Sequence, residues 1–238
     1  SFCQWGIDGP TNRIFSREYL AREMQAMEHS GVHPGIFHLD AGLNLNIRGF
    51  REFAAASQAT GFFQRHMFFT HVYPSQLKTE HLDFLQDCAF PVVGLGLQAF
   101  DEQVLRQHSR PAKIKQFRQV VEQLAAIGRV EVQLILGLPG DSPRGFMQAL
   151  EFALTLPASL RVFHALVLPD ALMSRATPEM AIDFDPHTLK MKSCLGWSAE
   201  ALNDTMRHLD QLAASGGGAR SHLWWSLNCN RARQLAGH

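Results

Sequence analysis

Apolar runs of strand length alternate with segments of helical periodicity along most of this chain, and no other feature constrains its fold as strongly. Short apolar runs predict strands at residues 36–40, 66–72, 92–98, 130–136 and 161–168. Apolar side chains at helical spacing predict helices at residues 16–29, 47–60, 77–88, 117–127 and 142–156. Strands that alternate with helices form a parallel sheet with right-handed crossovers. The sequence therefore predicts an α/β fold.

The number of predicted strands indicates an open barrel. The first predicted helix has no strand ahead of it, so one further strand is expected to precede Ser1. Six strands form a partial (β/α)6 TIM-like barrel, short of the eight that close a full barrel. After Pro169 the sequence predicts a helix at residues 199–214, a flexible linker at 215–218 and a short Trp-containing end. We therefore predict a partial barrel in residues 1–170 and a mostly helical C-terminal extension in residues 171–238.

The composition argues against several classes of protein. Lys+Arg and Asp+Glu both number 22, so no basic surplus indicates a nucleic-acid surface. The longest apolar runs have the length of strands, which is too short to span a bilayer. A hydrophobic content of 46% over 238 residues is enough for one large domain, or for a domain plus an appendage. We expect neither a membrane nor a nucleic acid as partner.

The four cysteines stand far apart, at positions 3, 88, 194 and 229. No close CxxC pair indicates a zinc site, and so few cysteines in a long chain do not form a secreted disulfide framework. The twelve histidines are scattered and predict no metal site. We therefore expect a cytoplasmic protein in which Cys88, Cys194 and Cys229 are structural.

The first six residues, SFCQWG, resemble the end of a CxxxCxΦC run, where Φ is aromatic. That run is the cluster loop of the radical S-adenosylmethionine (SAM) enzymes, in which three thiolates hold a 4Fe–4S cluster. Under this resemblance Cys3 is the third ligand, Phe2 lies near the adenine of SAM, and the first two cysteines are expected just upstream of Ser1. Taken alone, Cys3 could equally be a small buried hydrophobe and Phe2 a core aromatic.

Further motifs in the same order extend the resemblance over nearly the whole chain. They follow the predicted strands as LDAGLN at residues 39–44, GLQ at 96–98, GLPG at 137–140 and LVLP at 166–169. Together with the CxFCxWG-like start, they resemble most the radical SAM proteins that carry a cobalamin-binding domain ahead of the barrel. The resemblance implies a radical SAM partial barrel with a 4Fe–4S cluster, SAM and cobalamin as cofactors.

The resemblance also implies which strand ends bind SAM. Barrel active sites collect at the carboxyl ends of the strands, where Asp40, Asn44, Gln98 and Gly137 are predicted to lie. In the family, polar groups at these ends hold the methionine part and the ribose of SAM. For Asp40 and Asn44 the alternative is turn chemistry. Gln98 ends an otherwise apolar strand, so its side chain needs a buried partner, which a ligand hydroxyl would supply.

Adenine contacts are implied for the next two strands. Ile135 and Gly137 fit the GxIxG-type adenine strand of the family, although Gln133 replaces its first glycine. Val167 would line the adenine through its backbone, and the alternative is a plain core position. Gly137 could equally form only a tight connection between a strand and a helix.

His71 departs from the expected pattern. It stands where the related proteins have a glutamate. An imidazole could still meet the carboxylate of SAM, with a contact that depends on pH.

Three functions follow as hypotheses. The first is a cobalamin-dependent radical SAM enzyme that forms a 5′-deoxyadenosyl radical and methylates or rearranges an unactivated carbon of a small-molecule or peptide substrate. The family also implies a reducing partner such as flavodoxin or ferredoxin. The second is a cobalamin-independent enzyme, such as a methylthiotransferase or an elongator-like RNA modifier. The third is a barrel without a cluster that acts as a binding module. No catalytic acid or base is predicted.

Overall fold

The computed structural model describes residues 13–31, 35–108 and 113–228. Within these residues the chain divides into two compact units. The N-terminal unit comprises residues 13–31, 35–95 and 120–130, and the C-terminal unit comprises residues 96–108, 113–119 and 131–228. The domain boundary that the sequence predicts at residue 170 stays a prediction.

The N-terminal unit alternates helices and parallel strands as predicted. Its elements in chain order are α1 Arg17–His29, β1 Ile36–Phe37, α2 Ile47–Thr60, β2 Met67–His71, a 3-10 turn Pro74–Gln76, α3 Thr79–Asp87 and the first part of β3 Phe90–Gln98. β1 pairs in parallel with β2, and β2 pairs in parallel with β3. The helices begin and end at local signals. Asn46 caps α2 by accepting hydrogen bonds from two backbone N–H groups, and Gly61 ends it in the left-handed region at φ 64°.

A cluster of phenylalanine rings forms the core of this unit. Phe68 of β2 is fully buried, and its ring centroid lies 4.4 Å from that of Phe63 and 5.7 Å from that of Phe53. Phe84 of α3 meets Phe68 edge to face at 5.9 Å. Such tilted and edge-to-face pairs add to the stabilisation from burial. The packing therefore holds α2 and α3 against the strand that ends at His71.

The C-terminal unit contains the second half of the alternation and the C-terminal segment. Its elements are α4 Glu102–Gln107, part of α5 Ile114–Ala125, β4 Arg129–Leu136, α6 Pro143–Leu154, β5 Ser159–His164, β6 Asp183–Phe184, β7 Met191–Ser193, α7 Ala199–Gly216, β8 Ala219–Arg220 and β9 Trp224–Asn228. β4 and β5 are parallel. β9 pairs antiparallel with β5, and β8 pairs antiparallel with β9.

The C-terminal segment differs from its prediction. It was expected to be mostly helical, but it holds one long helix and two pairs of short strands, and β9 lies against β5. The predicted flexible linker at residues 215–218 is also wrong. Ser215 and Gly216 belong to α7, Gly217 is its left-handed cap at φ 69°, and Gly218 donates a backbone hydrogen bond to Ala213 at 2.9 Å. Consecutive glycines here end a helix instead of loosening the chain.

Two predicted strands are shorter than expected. β1 covers only Ile36–Phe37 of the predicted residues 36–40. β5 ends at His164, and the N–H of Ala165 makes one further hydrogen bond to β4 by donating to the carbonyl of Leu136 at 2.9 Å. The backbone of residues 165–168 also bonds to the chain around residue 190: Val167 donates to Leu189 at 2.8 Å, and Met191 donates to Ala165 at 3.0 Å. The extended residues of this stretch therefore form a local antiparallel pairing.

The helix α4 has no counterpart among the predicted elements. Asp101 caps it by accepting from the backbone N–H groups of Gln103 and Val104.

None of the helices in the described residues is long and apolar enough to cross a membrane.

Candidate functional site

The cluster loop predicted from the sequence lies outside the described residues. The roles of Phe2 and Cys3 therefore stay predictions. Among the described residues, no group of three or more His, Cys, Asp or Glu side chains could hold a metal ion. Burial raises the pKa of both Cys88 and Cys194 to about 12, so both are neutral thiols near pH 7. Metal ligation needs a thiolate, so neither is suited to hold iron.

Asn44 joins the loops that follow β1 and β2. It is only 5% exposed, its Nδ2 donates to the carbonyl of Tyr73 at 2.8 Å, and its Oδ1 accepts from the Tyr73 N–H at 2.9 Å. Leu43 adds a backbone hydrogen bond to the carbonyl of His71 at 2.8 Å. The side-chain amide of Asn44 thus makes one donated and one accepted hydrogen bond with the Tyr73 backbone, as the backbone of a neighbouring strand would. This contact gives Asn44 a structural role, and its contact with SAM stays a prediction.

Asp40 is an exposed carboxylate held by a histidine. Its Oδ2 lies 3.2 Å from Nε2 of His38, whose Nδ1 lies 3.0 Å from Oγ1 of Thr70. The hydrogen bond from His38 lowers the pKa of Asp40 below its ordinary value. Asp40 therefore presents a negative charge at the end of β1, in an orientation that His38 and Thr70 determine.

His71 occupies the end of β2 in close contact with a glycine. Its ring meets Phe69 edge to face at 5.2 Å. A Cβ added to Gly94 of β3 would lie 2.6 Å from Cδ2 of His71, so any side chain there would displace the imidazole. A glycine inside a strand is typical of such a close approach. The structure thus brings Asp40, Asn44 and His71 to the loops at the carboxyl ends of β1 and β2.

Gln98 ends β3 in a strained backbone conformation. Its φ is 68°, which is uncommon for a residue with a side chain, and Ala99 closes a tight turn by donating to the carbonyl of Leu97 at 2.9 Å. The Gln98 amide folds over Gly96, where a Cβ would overlap it. The side chain is half-buried, and its contact with SAM stays a prediction.

Gly137 begins a turn that is held in place by contacts with several other parts of the chain. Its φ is +83°, and a Cβ there would lie 3.1 Å from Cδ2 of Leu202 in α7. Its carbonyl accepts from Sγ of Cys194 at 3.5 Å. Two positions later, the carbonyl of Pro139 lies 2.8 Å from Nε2 of His108. The glycine is thus required by the geometry of the strand-to-helix connection, and its predicted contact with SAM stays a prediction.

A cavity of about 210 Å³ opens at the carboxyl ends of β4 and β5. Ile135 is part of its wall, and its contact with adenine stays a prediction. Val167 is not part of the wall, since its side chain is buried in the core at 1% exposure and its N–H is bonded to Leu189. The lining residues are Ile135, Phe163, His164, Ala165, Leu166, Leu168, Leu172, Leu223 and Trp224.

His164 was not among the residues predicted from the sequence. This residue is the one polar side chain in the stretch VFHALVLP, and it lies among the lining residues of the cavity. A lone polar residue within a predicted buried strand is the signal that could have identified it.

Asp141 follows the GLPG turn as a buried carboxyl group. It is 2% exposed, Oδ1 accepts from the Ser142 N–H at 2.8 Å, and Oδ2 has no partner among the described residues. Burial raises the pKa of Asp141 from 3.8 to about 6, and the charge of Asp101 adds to this increase. Folding therefore raises the pH at which Asp141 loses its proton.

Asp141→Asn is expected to remove part of the pH dependence of stability. The folded pKa lies above the unfolded value, so the contribution of Asp141 is fully present below about pH 4 and is lost as the pH rises through about 6. Between pH 4 and pH 7, we expect the free energy of unfolding of the variant to fall by about 1–3 kcal/mol less than that of the wild type. Urea unfolding at intervals across this range measures the difference. Asp83→Asn on the exposed face of α3 is the control, and an equal change in both variants would contradict the role of burial.

The family of the chain follows from a comparison with protein-family models. Residues 1–153 match the model described as the radical SAM superfamily. The chain belongs to this superfamily. The predicted fold class, a radical SAM partial barrel with a mostly parallel, curled sheet and flanking helices, is thereby confirmed. Membership in the family also implies a 4Fe–4S cluster and SAM.

Several proteins with known functions resemble the chain. It is 27% identical to an oxygen-independent coproporphyrinogen III oxidase of Pseudomonas aeruginosa over 146 residues, which cover 60% of this chain and 29% of that protein. The structure of coproporphyrinogen III oxidase from Escherichia coli aligns with a TM-score of 0.56 at 21% identity, over 77% of this chain and 40% of that chain. The chain therefore spans less than half the length of these relatives.

Two cobalamin-related enzymes share the fold at lower identity. The radical SAM methyltransferase TsrM from Kitasatospora setae aligns with a TM-score of 0.60 at 16% identity, over 84% of this chain and 45% of that chain. The cobalamin-dependent radical SAM enzyme OxsB aligns with a TM-score of 0.56 at 11% identity, over 86% and 38%. Identities this low establish a shared fold alone.

Proposed function

We propose that the protein is a radical SAM enzyme in which Cys3 helps to hold a 4Fe–4S cluster and SAM is cleaved to a 5′-deoxyadenosyl radical. The match to the superfamily model, which includes the CxFCxWG-like start of the chain, carries this proposal. When bound and reduced, the cluster would supply the electron that splits the sulfonium of SAM, with flavodoxin or ferredoxin as the proposed source.

Residues of the C-terminal unit suit parts of a bound SAM. Gln98 offers a half-buried amide at the end of β3. Hydroxyl groups of a ligand would hydrogen bond such a side chain. The apolar cavity beside Ile135 suits a flat base. In this role the residues bind and orient the cofactor, and the surrounding apolar walls exclude water from it.

We further propose that the enzyme uses cobalamin and methylates or rearranges an unactivated carbon of a small-molecule or peptide substrate. The motifs at residues 39–44, 96–98, 137–140 and 166–169 favour this class. The shared fold with TsrM, a methyltransferase, and with OxsB, described as cobalamin-dependent, is consistent with it. A nucleic-acid substrate is not expected, because the formal net charge is zero.

A cobalamin-independent reaction is the second candidate. The sequence is 27% identical over 146 residues to an oxygen-independent coproporphyrinogen III oxidase. This sequence relationship favours a radical SAM reaction without cobalamin. The two candidates differ in one cofactor, so the same preparation can separate them.

The test is anaerobic reconstitution of the longest natural form of the protein with iron and sulfide, with and without cobalamin. We expect cluster absorption and release of 5′-deoxyadenosine from SAM after reduction. Tight binding of cobalamin supports the first candidate, and turnover without it supports the second. A protein that never develops cluster absorption and never releases 5′-deoxyadenosine contradicts the enzymatic proposal and leaves the cluster-free binding module.

A further inference from the structure

A polar cleft is lined by residues of α7 and of the β8–β9 hairpin. Its volume is about 490 Å³. Asn203, Met206 and Asp210 belong to its wall, and their spacing places them on one face of α7. Residues 220–222 and Trp225 line it from the hairpin. The cleft therefore belongs to the C-terminal unit alone.

This cleft is separate from the cavity at the carboxyl ends of β4 and β5. Consecutive residues of a strand point to opposite faces of its sheet. Trp224 of β9 lines that cavity, and the next residue, Trp225, lines the cleft. The two sites therefore lie on opposite faces of β9, and a ligand in one leaves the other open.

Positive side chains outnumber negative ones in the wall of the cleft. Lys190, Arg207 and Arg220 contribute three cations, and Asp210 is the one carboxylate among the lining residues. Three cations and one carboxylate leave an excess of two positive charges near pH 7. The whole chain has a formal net charge of zero, so this excess is a local feature.

The carboxylate of Asp210 is already bonded within the protein. Its Oδ1 accepts from Nε1 of Trp225 at 2.7 Å, and its Oδ2 is paired with the guanidinium of Arg220. The hydrogen bond from Arg220 lowers the pKa of Asp210 below its ordinary value. Asp210 therefore stays ionised at pH 7 and holds Arg220 at the cleft.

Lys190 brings a half-buried charge to the cleft. Its side chain makes no ion pair or hydrogen bond with the residues that the structure describes. Its backbone is held in place, since its carbonyl accepts from the N–H of Asp185 at 2.9 Å. The exposed Arg207, in contrast, is paired with Asp204. Lysine is seldom buried without an opposite charge, so an anion in the cleft would supply the partner that Lys190 lacks.

The size and charge of the cleft indicate which ligand suits it. About 490 Å³ lies within the roughly 300–1,000 Å³ of sites that enclose a whole small molecule. Lysine and arginine donate charge-assisted hydrogen bonds to carboxylate and phosphate oxygens. Asn203 and Ser221 add neutral groups that can hydrogen bond hydroxyls. A polar molecule with two negative charges combines these properties.

We propose that this cleft binds a small hydrophilic dianion, either a sugar phosphate or a dicarboxylate, and that Lys190 contacts its charged group directly. The site is additional to that of SAM, because it lies on the other face of β9 from the cavity at the ends of β4 and β5. It does not depend on the cluster.

Calorimetry on the reconstituted, longest natural form of the protein measures binding of ribose 5-phosphate and of glutarate, with ribose as the uncharged comparison. We expect at least one of the two anions to bind at about 50 mM salt and ribose not to bind. The affinity is expected to fall about fivefold or more at roughly 500 mM salt, because ions screen the attraction. Binding of ribose 5-phosphate alone identifies a phosphate ligand, and binding of glutarate alone identifies a dicarboxylate.

Substitutions of two lysines test the contact with Lys190. Lys190→Gln is expected to weaken binding about tenfold, because the anion loses a charge-assisted hydrogen bond. Lys190→Arg retains the charge and is expected to remain within about threefold of the wild type. Lys192→Gln is the matched control. Lys192 is exposed and does not line the cleft, so removing the same charge there is expected to leave the affinity unchanged.

Thermal unfolding without ligand separates binding from a structural role. The Lys190 side chain has no hydrogen bond to the described residues, so we expect the melting temperature of Lys190→Gln to stay within about 2 °C of the wild type. A fall of more than about 5 °C would show that the lysine is structural and would contradict its role as a ligand contact.

Two binding results would overturn the proposal. The first is wild-type protein that binds neither ribose 5-phosphate nor glutarate at low salt. The second is an equal loss of affinity in Lys190→Gln and Lys192→Gln, which would assign the effect to net charge alone. Neither result bears on the cluster, whereas protein that never releases 5′-deoxyadenosine contradicts the proposed function and leaves this proposal intact.

Discussion

Cys3→Ala is expected to abolish cluster absorption and reduce release of 5′-deoxyadenosine to background. A 4Fe–4S cluster with an open iron for SAM depends on three thiolates, so loss of one leaves two protein ligands. Removing an outer partner of a metal ligand already costs roughly 10–100-fold in affinity or activity, and removing a ligand costs more. The measurements are the visible spectrum, iron content and 5′-deoxyadenosine yield of the reconstituted protein.

Cys88→Ala is the matched control for this substitution. Cys88 is buried at the end of α3, its Sγ donates to the carbonyl of Phe84 at 3.3 Å, and burial raises the pKa of its thiol to about 12. We expect a small loss of stability, on the order of 1 kcal/mol, with cluster content unchanged. Full cluster absorption in the Cys3 variant would show that other thiols hold the iron, and the assignment of Cys3 would be wrong.

Gly196→Ala is expected to destabilise the protein by about 3 kcal/mol or more. Gly196 has φ +88°, where a residue with a side chain is strained, and its Cβ would overlap the carbonyl oxygen of Asp141. The hydrogen bond from the Trp197 N–H to the carbonyl of Cys194, at 2.9 Å, closes the tight turn around this glycine. This carbonyl oxygen belongs to the backbone, so it cannot rotate out of the way as the end of a flexible side chain could.

Thermal unfolding followed by circular dichroism measures this effect. We expect the melting temperature of Gly196→Ala to fall by roughly 6–12 °C. Gly49→Ala is the control, because Gly49 lies in α2 and a Cβ there would meet nothing closer than the Asn46 side chain at 3.8 Å. Alanine at this helical position is expected to stabilise the protein by about 0.5–1 kcal/mol. Equal melting temperatures for the wild type and Gly196→Ala would contradict the steric argument.

Local signals explain which elements could be predicted. The helix predicted at residues 47–60 is found as α2 Ile47–Thr60, because Asn46 and Gly61 mark its ends within the sequence itself. The predicted helix at 16–29 is found with Ser16 as its cap for the same reason. The helix α4 was missed, because its six residues are too few to show a helical period.

The candidate site was predicted only in part. The sequence identified polar residues at strand ends, and the structure shows Gln98 at the end of β3 with its amide over Gly96. It could not show that both ends of the Asn44 amide are occupied by the Tyr73 backbone, 29 residues away. Nor could it show that Val167 is buried outside the cavity wall while His164 lies within it. Such contacts join residues that are distant in the sequence, whereas a hydrophobic pattern relates only neighbouring residues.

The sequence by itself determined the alternation of strands and helices, the positions of most elements and the motifs of the radical SAM superfamily. These features depend on side-chain periodicity, caps and turns, which neighbouring residues determine. Only the tertiary structure decided that residues 165–168 pair with the chain near residue 190, that β9 lies antiparallel to β5, and that His164 has no partner among the described residues. Those outcomes depend on which distant backbone and side-chain groups meet, and short-range patterns carry no information about that choice.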